Sequence, residues 1–189
     1  MPKIYVDIDE TLLHSNPIGI TEAHEENAYQ KVVVVGTKPN GVVDAYLTIL
    51  RPSAHKMIED CKKLGEVNLF TSSTREYALA QNKAWGLGFD EDTILAREDY
   101  LMEIPMNYGR ETIVLNEKTD PTSFLIEDLS PLSTNGKRKI AYLGIPLTNY
   151  IRIPEFKGIE DPNFLKEWGE ALKKLQPKSK TKPIPDMTL

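Results

Sequence analysis

The sequence has little of what a disulfide framework, a thiolate metal site or a membrane span requires. Its 189 residues include one cysteine, Cys61, which cannot form an internal disulfide. The three histidines show no zinc-type spacing. No apolar run approaches the roughly 18 residues of a membrane span, and no signal-peptide pattern opens the chain. These absences predict a cytoplasmic protein with no membrane partner.

Charge and composition narrow the class further. Hydrophobic residues make up 40% of the chain and charged residues 27%, which are the proportions of an ordinary globular protein. The formal charge of −5 disfavours a nucleic-acid partner, because most of the surface would repel a polyanion. The length fits a single domain, which we expect over residues 1–175. Residues 176–189 are rich in Lys and Pro and carry few apolar side chains, so we expect a flexible tail.

The most informative motif lies near the start of the chain. Residues 4–8 form a short apolar run that predicts a buried strand, and Asp7 and Asp9 leave its end on the same side, with Thr11 just beyond. Two carboxylates held together repel each other unless a cation or a shared proton relieves them. This pattern is typical of a metal-dependent reaction site. The alternative is a solvated acidic turn after an edge strand.

Polar residues also follow two later segments that predict strands. Residues 67–70 precede Thr71, and residues 124–126 precede Glu127 and Asp128. Strands that alternate with helical patterns predict an α/β fold with a doubly wound, mostly parallel sheet flanked by helices. In such sheets ligands bind at the carboxyl ends of the strands. We therefore expect these remote segments to converge at one edge of the sheet.

The run Asp7-Ile8-Asp9-Glu10-Thr11-Leu12 resembles the first motif, Asp-x-Asp-x-Thr, of the haloacid-dehalogenase superfamily of phosphohydrolases. Three further motifs follow in the order seen in the small phosphatases of the RNA polymerase II C-terminal domain. They are Arg51-Pro52 at the head of a helix, Phe70-Thr71-Ser72-Ser73 after a strand, and Glu127-Asp128-Leu129-Ser130-Pro131 after another. The resemblance covers about residues 3–175, and four ordered motifs make chance agreement improbable.

This resemblance implies a phosphatase that acts through an aspartyl phosphate and requires Mg²⁺. Asp7 would be the nucleophile, and Asp9 the general acid and base whose backbone carbonyl also binds the metal ion. Thr71 would bind a phosphoryl oxygen, assisted by Ser72 and the backbone at the following helix N-terminus. Asp128 would complete the metal site, because Mg²⁺ prefers carboxylate and water oxygens.

Two positions leave alternatives open. Aligned on Ser-Pro, the second acidic or amide position of the family falls on Leu129, whereas alignment on the acidic pair makes Glu127 a further metal ligand beside Asp128. The phosphate-binding lysine of the family is best matched by Lys118, with Arg110 as the second candidate. The alternative for Lys118 is a surface lysine in a polar loop.

An insertion over about residues 14–50 bears on the substrate. Residues 31–35 and 42–50 predict a β-hairpin with an Asn-Gly turn, and residues 16–30 are polar and predict a mobile excursion. A hairpin of this size is no large cap, and an open site favours a phosphoserine or phosphothreonine protein segment or another bulky phosphate ester. Small-molecule or polynucleotide-end phosphatase, phosphotransferase and non-catalytic scaffold remain alternative functions.

The rest of the chain predicts elements that support this core. Helices are expected over residues 54–64, 74–85 and 162–175, short strands over 93–97, 113–115, 140–145 and 150–153, and an irregular stretch around Pro105. Arg51 and Arg97 could reach a phosphate, but we expect them in ion pairs. His14 is expected to support the site rather than to take part in catalysis.

Overall fold

The computed structural model describes residues 1–18, 25–38, 40–106, 109–114, 121–134 and 143–176, with the backbone alone over 100–106 and 109–114. Its strands are β1 Lys3–Val6, β2 Leu13–Ile18, β3 Gln30–Thr37, β4 Val43–Leu50, β5 Glu66–Phe70, β6 Ile94–Leu95, β7 Leu101–Met106, β8 Gly109–Val114, β9 Phe124–Glu127 and β10 Tyr150–Arg152. Its helices are α1 Ala54–Lys62, α2 Arg75–Trp85, α3 Arg97–Tyr100 and α4 Phe164–Leu175. Residues 177–189, which contain nearly all of the expected tail, lie outside the described residues.

A five-stranded parallel sheet in the order β10-β9-β1-β5-β6 forms the centre of the fold. The first strand of the chain lies in the middle, where Tyr5 pairs with Asn68 of β5 on one side and with Leu125 of β9 on the other. All neighbouring strands of this sheet are parallel, so each connection from one of its strands to the next along the chain is a crossover. The predicted α/β fold with a mostly parallel sheet and flanking helices is confirmed.

Alternation along the strands divides the apolar core between the two faces of this sheet. Ile4 and Val6 of β1 face the larger cluster, which also contains Met57 of α1, Ala78 of α2 and Trp168 of α4. The opposite face carries a smaller cluster, formed by Tyr5, Phe70, Leu125, Leu143, Ile145 and Tyr150. A sheet buried on both faces holds its strand ends rigidly, which matters for any site built on them.

The insertion is a three-stranded antiparallel sheet in the order β2-β4-β3, not a two-stranded hairpin. The predicted hairpin between β3 and β4 is present, but Leu13–Ile18 also pairs with β4 along its whole length, from Leu13 opposite Leu50 to Ile18 opposite Ala45. The prediction of a mobile excursion over residues 16–30 is therefore wrong for residues 16–18, and also for Gln30, which begins β3. Pro17 concealed this strand from the sequence reasoning, although proline is tolerated on an edge strand such as β2.

The insertion sheet packs directly on α2. Thr48 of β4 accepts a hydrogen bond of 3.0 Å from the Trp85 indole, and the Lys31 ammonium lies 4.8 Å above the centre of that ring. Two residues along β4, Tyr46 packs edge-on against Tyr77 with ring centres 5.0 Å apart. These contacts join the insertion to the core at a defined position next to the N-terminus of α2.

Helix α2 also matches its sequence signals at both ends. The Thr74 hydroxyl accepts a hydrogen bond from the backbone N–H of Tyr77, and Gly86 ends the helix in the left-handed conformation with φ of 59°. The predicted last helix is confirmed as α4, with its buried residues on one face. Within the described ranges, no helix is both long and apolar enough to cross a membrane.

Three predictions beyond α2 are wrong in whole or in part. The stretch around Pro105, expected to be irregular, belongs to an antiparallel hairpin in which β7 pairs with β8 and Pro105 stands opposite Arg110. In a two-stranded hairpin each strand has an unpaired edge, where proline costs no ladder bond. Of the strand expected over 93–97, Ile94–Leu95 alone is strand. Of the strand expected over 140–145, residues 143–145 are not strand and the others lie outside the described residues.

Candidate active site

Three neighbouring strands bring the motif residues to one edge of the parallel sheet. The backbone N–H of Asp7 donates to Ile126 of β9, and that of Thr71 donates to Leu95 of β6, each at 3.0 Å. These bonds continue the sheet ladder past the ends of β1 and β5, so the following side chains emerge from adjacent positions. The expected convergence of remote segments at one edge is confirmed.

Asp7, Glu127 and Asp128 form an acidic cluster at this edge. Each side chain offers a carboxylate oxygen within 4.8 Å of the others, and all three residues are buried. The Thr11 hydroxyl donates to Asp128 Oδ1 at 3.4 Å. The backbone carbonyls of Glu127 and Asp128 accept bonds of 3.0 Å from the Ile153 N–H and Arg152 Nε.

The charges in the acidic cluster are costly to hold together. Two unit charges at such a distance repel by about 3 kcal/mol at an effective dielectric constant of about 20. A divalent cation reverses this cost, and oxygen ligands of this kind suit Mg²⁺. Asp7, Glu127 and Asp128 therefore could hold a metal ion. Glu127 lies in the cluster beside Asp128, and its part as a second acidic metal ligand stays a prediction.

Asp9 has different surroundings, although it follows Asp7 by two residues. The Tyr77 hydroxyl donates to Asp9 Oδ1, and the Ser73 hydroxyl donates to Oδ2 at 3.0 Å. The Asp9 carboxylate is not part of the acidic cluster. The Tyr77 oxygen also lies 2.7 Å from the Ser15 hydroxyl of the insertion sheet. Burial, and then the charge of Asp9, raise the pKa of Tyr77, so the phenol stays protonated and donates at neutral pH.

Asp9 stands where two cavities meet. A small cavity of about 110 Å³ lies over the acidic cluster and is lined by Asp7, Asp9, Glu10, Ser72, Glu127, Asp128 and Leu129. A larger cleft of about 260 Å³ opens between the insertion sheet and α2 and is lined by Asp9, Ser15, Asp44, Tyr46, Ser73, Thr74, Tyr77 and Arg97. A group bound over Asp7 can thus be attached to a larger molecule that occupies the cleft.

The predicted phosphate-binding residues differ in their accessibility. Ser72 lines the small cavity. Thr71 is fully buried, and its hydroxyl accepts a hydrogen bond of 3.0 Å from the Ser73 N–H, which fixes the turn before α2. Lys118 lies outside the described residues, as does the side chain of Arg110. The choice between these two basic residues stays a prediction.

Arg51 is a structural residue rather than a phosphate ligand. Its side chain is 1% exposed, and its guanidinium donates to the backbone carbonyls of Glu10 and Pro154 at 3.2 and 2.8 Å. The same group lies 4.9 Å from the ring centre of Phe156 and 4.1 Å from that of Phe164. Burial lowers the pKa of Arg51 to about 10. Arg51 thereby joins the loop after β1 to the loop after β10, in place of the expected ion pair.

Arg97 is the arginine that reaches the cleft. Its side-chain Nε donates to the Ser72 carbonyl at 2.8 Å, and its backbone N–H donates to the Ser73 carbonyl at 2.9 Å. The neighbouring Arg75–Asp99 ion pair, at 2.6 Å, fixes the start of α3 on the N-terminus of α2. The Arg97 side chain is thus held at the wall of the cleft that Asp9 also lines.

Sequence reasoning missed three residues of this site. The helical pattern over residues 74–85 accounts for the ring of Tyr77, which packs against Tyr46, but not for its hydroxyl, which donates to Asp9. Ser15 carries no signal beyond its place after the first motif, and Ser73 carries none beyond its place at the end of the motif Phe70-Thr71-Ser72-Ser73. The ring Nδ1 of His14 lies 2.7 Å from a carboxylate oxygen of Glu10, which lines the small cavity, and the supporting role of His14 stays a prediction.

Comparisons with known proteins give this site a context. The family model of NLI interacting factor-like phosphatases matches residues 2–182. A variant of the fission yeast RNA polymerase II CTD phosphatase Fcp1, solved with beryllium fluoride, is similar at a TM-score of 0.57 and 14% identity, over 92% of this chain and 50% of its own. A second structure is of Fcp1, an essential RNA polymerase II CTD phosphatase. It is similar at a TM-score of 0.55 and 19% identity, and the match covers 93% of this chain and 50% of the Fcp1 chain.

The two solved structures show a shared fold, and this chain spans half of their length. No protein in a curated set matches the sequence significantly. The family model, in contrast, extends over nearly the whole chain and includes every motif of the acidic edge. The motif Asp7–Leu12 resembles the first motif of the haloacid-dehalogenase superfamily. The protein therefore belongs to the family of NLI interacting factor-like phosphatases, within that superfamily.

Proposed function

We propose that the protein is a Mg²⁺-dependent phosphomonoesterase that acts on phosphoserine or phosphothreonine in protein segments. The acidic cluster beside a separately held Asp9 is the observation that carries this proposal. Family membership supports the reaction class. We assign the activity to one catalytic domain over residues 1–175, in which the insertion forms one wall of the cleft.

Asp7 would be the nucleophile. One of its carboxylate oxygens attacks phosphorus of the monoester, the bond from phosphorus to the ester oxygen breaks, and an aspartyl phosphate forms. Asp9, in its protonated form, gives its proton to the departing alcohol oxygen. Asp9 then takes a proton from water as the water oxygen attacks phosphorus. Inorganic phosphate leaves and Asp7 is restored, so the ester has been hydrolysed without net change to the enzyme.

The separation of the two aspartates supports this division of roles. Asp7 belongs to the buried acidic cluster, whereas the Asp9 carboxylate is bonded to Tyr77 and Ser73 at the border of the cleft. A nucleophile has to face phosphorus, and an acid has to face the leaving group on the side of the substrate. Asp9 lines both cavities, which is the position that a leaving-group acid requires.

Asp7, Glu127 and Asp128 would hold the Mg²⁺ ion, with the Asp9 backbone carbonyl as the further ligand that the family implies. When bound, the ion neutralises charge on the phosphoryl group and on the carboxylates around it. Ser72 and Arg97 would bind phosphoryl oxygens from the side of α2, since both belong to the cavities around Asp9. Lys118 remains the proposed phosphate-binding lysine on sequence grounds.

The shape of the cleft supports a protein substrate. Its walls are the insertion sheet and the N-terminal part of α2, and it opens to solvent beside Asp9. A phosphorylated side chain on an extended segment can enter such a cleft. The two similar solved structures are of Fcp1, an RNA polymerase II CTD phosphatase, which is also consistent with a protein substrate. The acidic net charge makes a polynucleotide end a poorer substrate.

Hydrolysis of an aryl phosphate tests the activity, with Mg²⁺ and with EDTA. We expect turnover that requires Mg²⁺, is inhibited by beryllium fluoride, and is absent in Asp7→Asn. Glu25→Gln changes the same type of charge on an exposed residue outside both cavities, and should keep full activity. Absence of turnover by the native chain on every phosphate ester would favour a non-catalytic binding module.

Substrate class requires a panel of phosphate esters at equal concentration. Phosphoserine and phosphothreonine peptides should give a higher kcat/KM than phosphosugars or oligonucleotides with a terminal phosphate. A preference for the oligonucleotide or the sugar would overturn the protein-substrate part of the proposal while leaving the phosphatase itself intact.

A further inference from the structure

The cleft does not end at the residues that face Asp9. A second cavity of about 290 Å³ lies next to it and is lined by Val35, Gly36, Thr37, Lys38, Asp44 and Glu76. Asp44 lines both spaces, so a groove runs from Asp9 past Asp44 towards the hairpin end of the insertion sheet. Each space is close to the lower limit of about 300 Å³ for ligand pockets, and joined they suit an extended segment.

Asp44 owes its place in this groove to the pairing of β4. Side chains two residues apart on a strand share a face, so Asp44, Tyr46 and Thr48 form one row. Thr48 contacts Trp85 and Tyr46 contacts Tyr77, both on α2. Asp44, the third member of the row, lies beyond these contacts and lines both cavities.

The groove has charges of both signs in a fixed order. Arg97 stands beside Asp9, Asp44 stands where the two cavities join, and Glu76 and Lys38 stand in the second cavity. The charges of Asp44 and Asp9 both raise the pKa of Tyr46, after burial of the phenol, so both carboxylates act on the same wall. A phosphoryl group is attracted at the Arg97 end, and a negative group farther along the substrate is repelled by Asp44.

Lys38 is the partner of Asp44 in the absence of substrate. Its Nζ lies 3.3 Å from Asp44 Oδ1, but the side chain of Lys38 is 54% exposed and that of Asp44 28% exposed. Exposed pairs of this kind are weak, so a cation from the substrate can take the place of Lys38. The ammonium of Lys38 can then turn into solvent at little cost.

We propose that Asp44 selects phosphorylated segments that carry a lysine or arginine near the phosphorylated serine or threonine. The basic side chain lies in the groove against the Asp44 carboxylate while the phosphoryl group lies over Asp7. The same carboxylate disfavours segments with an acidic or second phosphorylated residue at that position. This inference rests on the proposed phosphatase function and names its substrate class more narrowly.

The test compares phosphopeptides that are identical except for Lys, Ala or Glu at each of the two positions on either side of the phosphoserine. At the best of these positions, we expect kcat/KM to be about fivefold higher with Lys than with Ala, and lower still with Glu, as the strength of an exposed ion pair allows. The ratio between two peptides on one preparation does not depend on how much of the enzyme is folded.

Three variants locate the effect. Asp44→Asn should bring the Lys-to-Glu ratio close to one, whereas Lys38→Gln should increase it by removing the competing ammonium. Glu25→Gln, an exposed residue of the insertion outside the groove, should leave the ratio unchanged. High salt should decrease the preference in the native chain.

Two results would overturn the inference. One is equal kcat/KM for Lys, Ala and Glu peptides at all positions, and the other is a Lys preference that Asp44→Asn leaves intact. Turnover of an aryl phosphate distinguishes these from failure of the proposed function, because that substrate has no side chain to meet Asp44. An enzyme that hydrolyses the aryl phosphate without Lys preference keeps its function and loses this specificity determinant.

Discussion

Asp60 and the carboxylates of the acidic cluster are similarly buried, but they differ in what surrounds them. Asp60, on α1, is 8% exposed and accepts hydrogen bonds from Lys56 at 2.5 Å, Lys63 at 3.0 Å and the Trp168 indole at 3.1 Å. Burial raises the pKa of Asp60, but these donors outweigh burial and the net shift is downward. The acidic cluster instead brings three carboxylates within 4.8 Å of one another.

The difference teaches which buried carboxylates indicate function. A buried charge that is bonded to cations and an indole contributes to stability. Carboxylates that crowd one another cost stability, and a fold retains such a cost where it serves a site. Burial alone would have placed Asp60 and Asp7 in one class, whereas their neighbours separate a structural anchor from a candidate active site.

Replacing Asp7 should give the largest effect. In Asp7→Asn the phosphatase rate should fall at least about a thousandfold, because the attacking oxygen is lost. The free energy of unfolding in EDTA should rise, since one of three mutually repelling charges is removed. Activity assays and urea denaturation measure the two effects. Asp60→Asn should show the reverse pattern, with kcat kept and the free energy of unfolding lowered. Loss of kcat in both variants would contradict the distinction between Asp60 and the acidic cluster.

The second-largest effect should come from metal binding, which should distinguish the carboxylates of the acidic cluster from Asp60. Mg²⁺ at a hundred times its dissociation constant stabilises a folded protein by about 2.7 kcal/mol when it binds the native state alone. We expect thermal unfolding of the native chain to shift upward with Mg²⁺. The shift should decrease strongly in Glu127→Gln and persist in Asp60→Asn. An equal shift in all three proteins would place the metal ion away from the acidic cluster.

Tyr77→Phe should give a smaller effect, on Asp9. The change removes a hydroxyl that donates to Asp9 Oδ1 and keeps the ring against Tyr46. Hydrogen bonds to charged groups contribute about 1.5–3 kcal/mol, so we expect kcat to fall by roughly tenfold or more. Tyr46→Phe removes the same atom from the neighbouring ring and should cost less. Equal losses in the two variants would mean that the Asp9 bond has no special part in turnover.

The sequence predicts the parallel sheet well because its signals are local. The buried strands β1, β5 and β9 are mostly apolar, and polar residues follow at their carboxyl ends. Parallel pairing then brings those ends together without further information. For this reason the convergence of Asp7, Thr71 and Glu127 could be predicted, whereas the distances among their side chains could not.

Other contacts depend on long-range packing that no local pattern records. Pro17 hid the edge strand β2, and Arg51 gave no sign that Phe156 and Phe164 would enclose it. Tyr77 presents an apolar ring to the core and a hydroxyl to Asp9, and helical spacing reports the ring alone. Residues with two chemical faces are where sequence reasoning is least complete.

The smallest of these effects concerns Asp60 and depends on pH. Because the folded-state pKa of Asp60 is below the ordinary value of 3.8, its charge contributes stability above that value, and the contribution is lost as the pH falls through the folded-state pKa. Asp60→Asn should therefore lower the free energy of unfolding by about 1–2 kcal/mol at pH 7. The difference from the native chain should shrink below pH 3.8.

Urea denaturation of both proteins across this pH range measures the change. Glu170→Gln is the control, because Glu170 pairs with Lys173 at 2.7 Å on the exposed face of α4 and should leave stability unchanged. Equal stability of Asp60→Asn and the native chain at every pH would mean that the hydrogen bond from Trp168, which Asn can also accept, is what stabilises the fold. In that case the two lysines would be incidental, and the distinction between Asp60 and the acidic cluster would rest on the indole.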